Sequence, residues 1–328
     1  MTARRFETVL VTGAAGFVGR HLLRHLCRAE DGPGRVVAWD LRVPDDSDAA
    51  RVADWRRVDF ADAGQAAQAL DEAAPNAVLH LAGLARSDDL QAYFRANVTA
   101  CRNLLAWAAE QADPPRVLVV GSAAQYGITR GGEEVMAESR PLASRSPYGV
   151  TKTMQERWAL LAGEATGVPV VAVRPFNIMG PGQPPTLVPG AFLHQVRDVL
   201  AGRQEAVRVG NVETCRDFTD VRDVVAALWS LVAAEAPAEG AVYNIASGEA
   251  VRIGDMLQFC LDLAGTEVAV KVDKRRLRAH DVSVIVGDAS RLRKAVGWRP
   301  HIPWRTSLED AWADLRAAAV SGDRPEGR

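Results

Sequence analysis

Through the first half of the chain, short β-branched or apolar runs alternate with stretches of helical period. Strands are expected at Thr8–Thr12, Arg35–Asp40, Ala77–Leu81, Arg116–Gly121 and Val168–Arg174, with a further strand ending near Arg57-Val58. Between them, apolar residues recur at helical spacing, as at Val18, Leu22 and Leu26 and again at Leu104, Leu105 and Ala108. Strands separated by helices require right-handed crossovers, so the expected fold class is α/β with a parallel, doubly wound sheet. Ligands in such sheets bind beyond the carboxyl ends of the strands.

Past about residue 175 the texture changes. Gly180-Pro181-Gly182-Gln183-Pro184-Pro185 reads as a rigid, turn-rich loop. Helices are expected near 189–202, 221–234 and Ile253–Ala264, with a strand near Val242–Ile245. The expected organisation is a sheet domain over 1–175 and a smaller C-terminal lobe over 176–320, interleaved with the last strands. A polar tail, 321–328, is expected to fray.

Composition narrows the function classes. With 39 Lys+Arg against 41 Asp+Glu the net charge is −2, which gives no general attraction to nucleic acid or anionic membrane. The basic residues are scattered apart from Lys274, Arg275, Arg276 and Arg278, and the eight tryptophans share no spacing with them. No apolar run approaches the ~20 residues needed to cross a bilayer. The four cysteines have no Cys-x-x-Cys spacing, and no secretory apolar segment precedes the first strand, so a soluble, cytoplasmic protein with reduced thiols is expected. His21, His25 and His194 have no partner at metal-ligand spacing, so no metal is expected.

Two motifs carry the chemistry. In Thr12-Gly13-Ala14-Ala15-Gly16-Phe17-Val18-Gly19, three glycines follow a strand and open a helix. That arrangement suits a tight turn, close backbone approach to a dinucleotide pyrophosphate, and a helix N-terminus facing the anion, as in a Rossmann-type fold. Asp40 closes the second strand, where a carboxylate can take the adenosine ribose hydroxyls and repel a 2′-phosphate, favouring NAD over NADP. Asp59, where the third strand ends, can meet adenine or stand as a solvated loop acid. In the second motif, Tyr148-Gly149-Val150-Thr151-Lys152, a phenol and an ammonium four residues apart share one helix face. Free tyrosine titrates near ~10; a neighbouring ammonium and a positive nicotinamide ring are expected to pull Tyr148 lower. Ser122, ending the fifth strand, can reach the same reacting oxygen, and Pro147 suits the first turn of the Tyr148 helix.

These residues resemble the extended short-chain dehydrogenase/reductase family, in its nucleotide-sugar epimerase/dehydratase/reductase branch. The resemblance runs through His80-Leu81-Ala82-Gly83, Asn97-Val98 and Asn103-Leu104-Leu105. It continues through Arg174-Pro175-Phe176-Asn177, Arg216-Asp217-Phe218 and Gly297-Trp298-Arg299-Pro300. It implies that Ser122 binds the sugar oxygen, Tyr148 is the acid/base, and Lys152 tunes Tyr148 and grips the nicotinamide ribose. It further implies a cofactor site of Gly13, Gly16, Phe17, Val18, Asp40, Asp59, Phe60, Leu81, Ala82 and Asn97 with Tyr148 and Lys152. Asn177, Arg216 and Arg278 would meet the substrate pyrophosphate, as guanidinium forks match phosphate oxygens. His80 would be a packed residue beside the cofactor. A homodimer is implied through helices near 89–111 and 147–163, with Leu104, Leu105, Trp107 and Trp158 as apolar area that core packing explains equally well. Trp298 and Trp304 are expected as anchors of the small lobe, and Glu133, Glu134 and Glu138 as a solvated acidic loop.

The resemblance also bears on the reaction. Sugar 4,6-dehydratases carry a carboxylate two or three residues before the tyrosine that Tyr126 matches, and here those positions are Ala124 and Ala123. The second half most resembles GDP-4-keto-6-deoxy-mannose reductases, which places first a 4-ketoreductase using NAD(P)H, with Tyr148 as proton donor. Asp40, unusual in that NADP-preferring group, speaks for the alternative, a 4-epimerase with tightly held NAD, while Ile178, where the group has histidine, speaks against a GDP-sugar substrate. A dehydratase and a non-catalytic NAD-binding protein stand behind both.

Overall fold

The computed structural model describes residues 6–29, 32–43, 54–127, 135–235, 241–265, 267–276 and 284–320. Its centre is a seven-stranded sheet of β1 (Thr8–Thr12), β2 (Arg35–Asp40), β3 (Asp54–Arg57), β4 (Ala77–His80), β5 (Arg116–Val120), β6 (Val170–Pro175) and β7 (Val242–Ile245). The order is β7-β6-β5-β4-β1-β2-β3, and every pairing is parallel. The chain reverses direction across the sheet between β1 and β4, so a crevice opens beyond Thr12 and His80, which pair in register.

Alternation along β1 assigns the two faces. Val9 and Val11 pack with Leu22 and Leu26 of the helix Phe17–Arg28 and with Val224 and Leu228 of the helix Val221–Ala233. Leu10 turns the other way, onto a layer holding Leu70, Leu104 and Ala159. Strands covered on both faces need continuous apolar sequence, which is what Val9-Leu10-Val11 and Val36-Val37-Ala38 supply.

β7 follows about half of the lobe in sequence yet pairs with β6, so lobe and sheet are interleaved. The lobe has its own core, in which Met179, Phe192, Val196, Met256, Leu308 and Trp312 pack together. A small sheet of Val251–Arg252, Cys215–Arg216, Val284–Gly287 and Val135–Met136 lies beside it. Asp217 ties these parts together. Its fully buried carboxylate accepts hydrogen bonds from Ser247 N and Oγ, Gly248 N and Gly287 N at 2.7–3.1 Å. Burial pushes its pKa up against the pull of those donors. Trp298 is buried and its indole N–H donates to Asp223 O at 2.9 Å, whereas Trp304 is half-buried, edge-on to Phe259.

Leu104, Leu105 and Trp107 belong to the core, not to an outer surface, because the helix Ala100–Ala109 turns them onto the sheet. Trp158, 44% exposed, does lie outside. Glu138 is not part of a solvated acidic loop: it is half-buried and its Oε1 accepts Asn244 N at 2.8 Å, while Glu133 and Glu134 lie outside the described residues. Among the described residues no helix is long and apolar enough to cross a membrane.

Candidate active site

The glycine turn fills the first part of the crevice. Gly13 has φ +67°, and a Cβ there would lie 2.7 Å from Ala82 N and 2.9 Å from Leu81 C. Only glycine lets the turn lie this close to the end of β4. Gly16 is the N-cap of the helix Phe17–Arg28, with no side chain capping it, so the first-turn N–H groups remain available to an anion. Phe17 and Val18 are half-buried behind it. Asp40 stands at the end of β2 and its carboxylate accepts Ala15 N at 3.0 Å and Arg42 N at 3.2 Å, binding it to the turn itself.

Beneath the turn, Thr12 Oγ1 accepts Ala82 N at 3.2 Å and lies 2.9 Å from His80 Nδ1. His80 is fully enclosed. Burial and the nearby Lys152 ammonium lower its pKa to about 3, so it is a neutral packing residue. Asp59 pairs with Arg95 Nη2 at 2.6 Å and accepts Ala61 N; these outweigh the burial that would raise its pKa and hold it low. Phe60 is buried between Trp39 and His80.

Asn97 does something the sequence did not disclose. It lies in a π-helical turn, Phe94–Thr99, that interrupts the expected continuous helix and drives its side chain fully inside. There it accepts Leu84 N at 2.8 Å and donates to Leu84 O and Thr151 Oγ1. It thereby pins the loop after β4 to the Tyr148 helix.

That helix, Pro147–Thr166, begins with Ser146 accepting Gly149 N at 3.1 Å and with proline in its first turn. Its first turn presents the half-buried Tyr148 on the side of Ser122, whose side chain acts on the phenol by lowering its pKa. Lys152, one turn on, is buried; its Nζ donates to Val120 O at 2.8 Å and to Gln155 Oε1 at 2.7 Å. Burial lowers its pKa to about 8. The expected depression of Tyr148 does not arise from the protein's own groups. Burial raises the phenol above its ordinary value, Ser122 pulls it partly back, and Tyr93 adds to the rise. Lys152 directs its ammonium to Val120 O and Gln155 Oε1, not to the phenol.

On the lobe side, Asn177 is exposed and its Nδ2 donates to Asp217 O at 2.7 Å. Arg216 Nη1 donates to Cys215 O at 2.8 Å. Asp217 and Asp220 turn to other donors, the latter to Arg222. Arg278 lies outside the described residues. Sequence reasoning also missed Gln125, Gln155 and Glu156, all fully or almost fully buried around Ser122 and Lys152. The visible signal was Glu156, four residues past Lys152 and eight past Tyr148 on one helix face.

A doubly wound sheet with an uncapped glycine turn and a convergent Ser, Tyr and Lys defines a dinucleotide-dependent oxidoreductase or epimerase. Residues 9–246 match the NAD dependent epimerase/dehydratase family, and the chain belongs to it. It is 30% identical to GDP-6-deoxy-D-mannose reductase of Pseudomonas aeruginosa over 321 residues, 96% of this chain and 97% of that one. It is similar in structure to MoeE5, solved with UDP-glucuronic acid and NAD, at 31% identity and TM-score 0.81, covering 95% of this chain and 99% of the other. It is also similar to the UDP-glucose 4-epimerase of Thermus thermophilus, solved with NAD, at 26% identity and TM-score 0.81 with the same coverage.

Proposed function

We propose that the protein is an NAD-dependent nucleotide-sugar 4-epimerase. The observation that carries this reading over a reductase is the Asp40 carboxylate, fixed at the end of β2 against the glycine turn. A charge held there opposes a 2′-phosphate and suits NAD kept in place through many turnovers. MoeE5 and the Thermus epimerase, both solved with NAD, support it.

The residues fit the cofactor. The Gly13 turn has no room for a side chain, and Gly16, Phe17 and Val18 open an uncapped helix towards a pyrophosphate. Asp40 would take the adenosine ribose, Asp59 and Phe60 would border adenine, and Leu81 and Ala82 would line the path to the nicotinamide. Lys152 would hold the nicotinamide ribose, while Asn97 shapes that wall. When bound, NAD supplies reversible hydride removal at C4 and a positive ring that favours the Tyr148 phenolate. Ser122 binds the sugar O4 and Tyr148 takes its proton as the C4 ketone forms. After the ketone presents its other face, Tyr148 returns the proton and C4 is inverted. Asn177, Arg216 and Arg278 hold the diphosphate through this turnover. A carboxylate for water elimination is missing at Ala123 and Ala124.

A 4-ketoreductase is the second reading. It is favoured by the raised Tyr148 pKa, which keeps the phenol protonated as a donor, and by the 30% identity to the Pseudomonas reductase. The test is to purify the protein, identify any retained coenzyme, and assay nucleotide-linked hexoses and 4-keto-6-deoxy sugars with NADH and NADPH. C4 inversion without net coenzyme consumption supports the epimerase; stoichiometric NAD(P)H consumption by the ketosugar replaces it with the reductase.

The assembly proposed with this function is a homodimer. Val150, Met154, Trp158 and Leu161 form one exposed apolar stripe on the Tyr148 helix, with Leu90 and Phe94 exposed nearby. At the head of this stripe lies a depression of about 310 Å³, lined by Leu90, Tyr93, Phe94, Pro147 and Val150. A second copy would bury the stripe.

A further inference from the structure

We infer that Gln125 is a positioning residue for this reaction, tying the Ser122 backbone to the helix that carries Tyr148 and thereby setting where the Ser122 hydroxyl stands relative to the phenol. The inference rests on the functional reading above. Ser122 leaves β5 in an extended conformation (φ −165°, ψ 149°), and its hydroxyl accepts Ala124 N at 3.2 Å and lies close enough to the phenol to lower its pKa. The direction of that hydroxyl follows from where the Ser122 backbone is held.

Gln125 holds it. Its Oε1 accepts Ser122 N at 2.7 Å, and its Nε2 donates to Glu156 Oε2 at 2.9 Å. Glu156 lies two helical turns beyond Tyr148, so one amide joins the end of β5 to the catalytic helix. Arg174, from β6, fixes Glu156 in turn, with Nε on Oε2 at 2.8 Å and Nη2 on Oε1 at 2.6 Å. Gln125 is fully buried, and Glu156 and Arg174 are nearly so, leaving little water to replace a lost partner. Gly121 belongs to the same device: a Cβ there would collide with Gln125 Oε1 and come within 2.9 Å of Val173 O. Tyr126 extends the brace, accepting Arg174 Nη1 at 3.0 Å and donating to Asn244 Oδ1 at 2.6 Å, but Gln125 is the residue that touches both Ser122 and Glu156.

The test compares Gln125→Leu, Gln125→Glu and the exchange pair Gln125→Glu with Glu156→Gln. Gln125→Glu can still accept Ser122 N but sets two carboxylates together. The exchange pair restores one carboxylate and one amide beside Arg174. Gln125→Leu is expected to lower kcat about 100-fold, the order expected when a reacting group shifts by about 1 Å. KM should stay within about threefold and NAD affinity should be unchanged. The exchange pair is expected to recover at least about tenfold of that loss.

A second readout needs no substrate. The chain has four tyrosines, so 13C-tyrosine NMR can follow Tyr148, assigned through Tyr148→Phe. Loosening Ser122 in Gln125→Leu should move the Tyr148 titration further upward, and the exchange pair should return it. Unchanged Tyr148 titration in Gln125→Leu, or loss of NAD affinity in step with kcat, overturns the inference. If Gln125→Leu does not fold, the single and exchanged Glu variants carry the same comparison. If the unaltered protein turns over no nucleotide sugar, the functional reading fails, and the phenol titration still decides the role of Gln125.

Discussion

Replacing Lys152 by methionine should make the chain more stable at neutral pH while removing its activity. Burial lowers the lysine pKa from 10.5 in an unfolded chain to about 8 in the folded one. That gap of roughly 2.5 pH units, at about 1.4 kcal/mol each, is a penalty of roughly 3 kcal/mol for holding the ammonium inside. Losing the donor to Val120 O and Gln155 Oε1 offsets about 1–2 kcal/mol of the gain. The net expectation at pH 7 is a stabilisation of about 1–2 kcal/mol. The sign follows from proton binding. Between about 8 and 10.5 the unfolded chain binds the Lys152 proton and the folded chain does not, so wild-type stability rises through that window. Its neighbours do not titrate there: burial holds His80 near 3 and pushes Cys101 up to about 12. The advantage of the variant should therefore shrink above pH 8 and reverse near pH 10.5. Urea unfolding of both proteins at pH 7, 8.5 and 10.5 measures this. A difference that stays constant across the three pH values would refute the argument from a buried ammonium.

Three further outcomes follow from particular contacts. Asp40→Ala removes the acceptor for Ala15 N and Arg42 N; calorimetry should show NAD affinity falling about tenfold or more and the preference over NADP narrowing. Gly13→Ala places a Cβ at φ +67° within 2.9 Å of the Ala82 and Leu81 backbone, so it should cost about 2–4 kcal/mol in thermal unfolding and abolish NAD binding. Trp158→Glu puts a charge in the exposed apolar stripe; sedimentation at micromolar concentration should show the unaltered protein as a dimer and the variant as a monomer.

What could be seen in the sequence was what is local. β1, β2 and β7 fall where the apolar runs place them, and the Tyr148 helix starts at its Ser-Pro signal. β3 gave less away, because Asp-Trp-Arg-Arg at a sheet edge has no apolar run. The short strands of the lobe are two to four residues long and owe their form to neighbours distant in sequence. Ser122 and Tyr148 were legible because each sits beside an element boundary, and Lys152 because it lies one helical turn past Tyr148. The bonds that orient them were not. Gln125 meets Glu156, and Asp217 meets Ser247 and Gly287, across 30 residues or more with no fixed spacing to betray them. The protein's own effect on the Tyr148 pKa was hidden for the same reason: it depends on where the Lys152 ammonium is bonded, not on its place along the helix.

The most direct measurement uses a nucleoside-diphosphate hexose carrying deuterium at C4, followed by NMR with the purified protein and with Tyr148→Phe. The account predicts that the inverted product keeps its deuterium at C4, because the hydride returns to the carbon it left, and that Tyr148→Phe binds NAD yet makes almost no product. Deuterium lost from C4 in the product, or inversion at the unaltered rate by Tyr148→Phe, would contradict it.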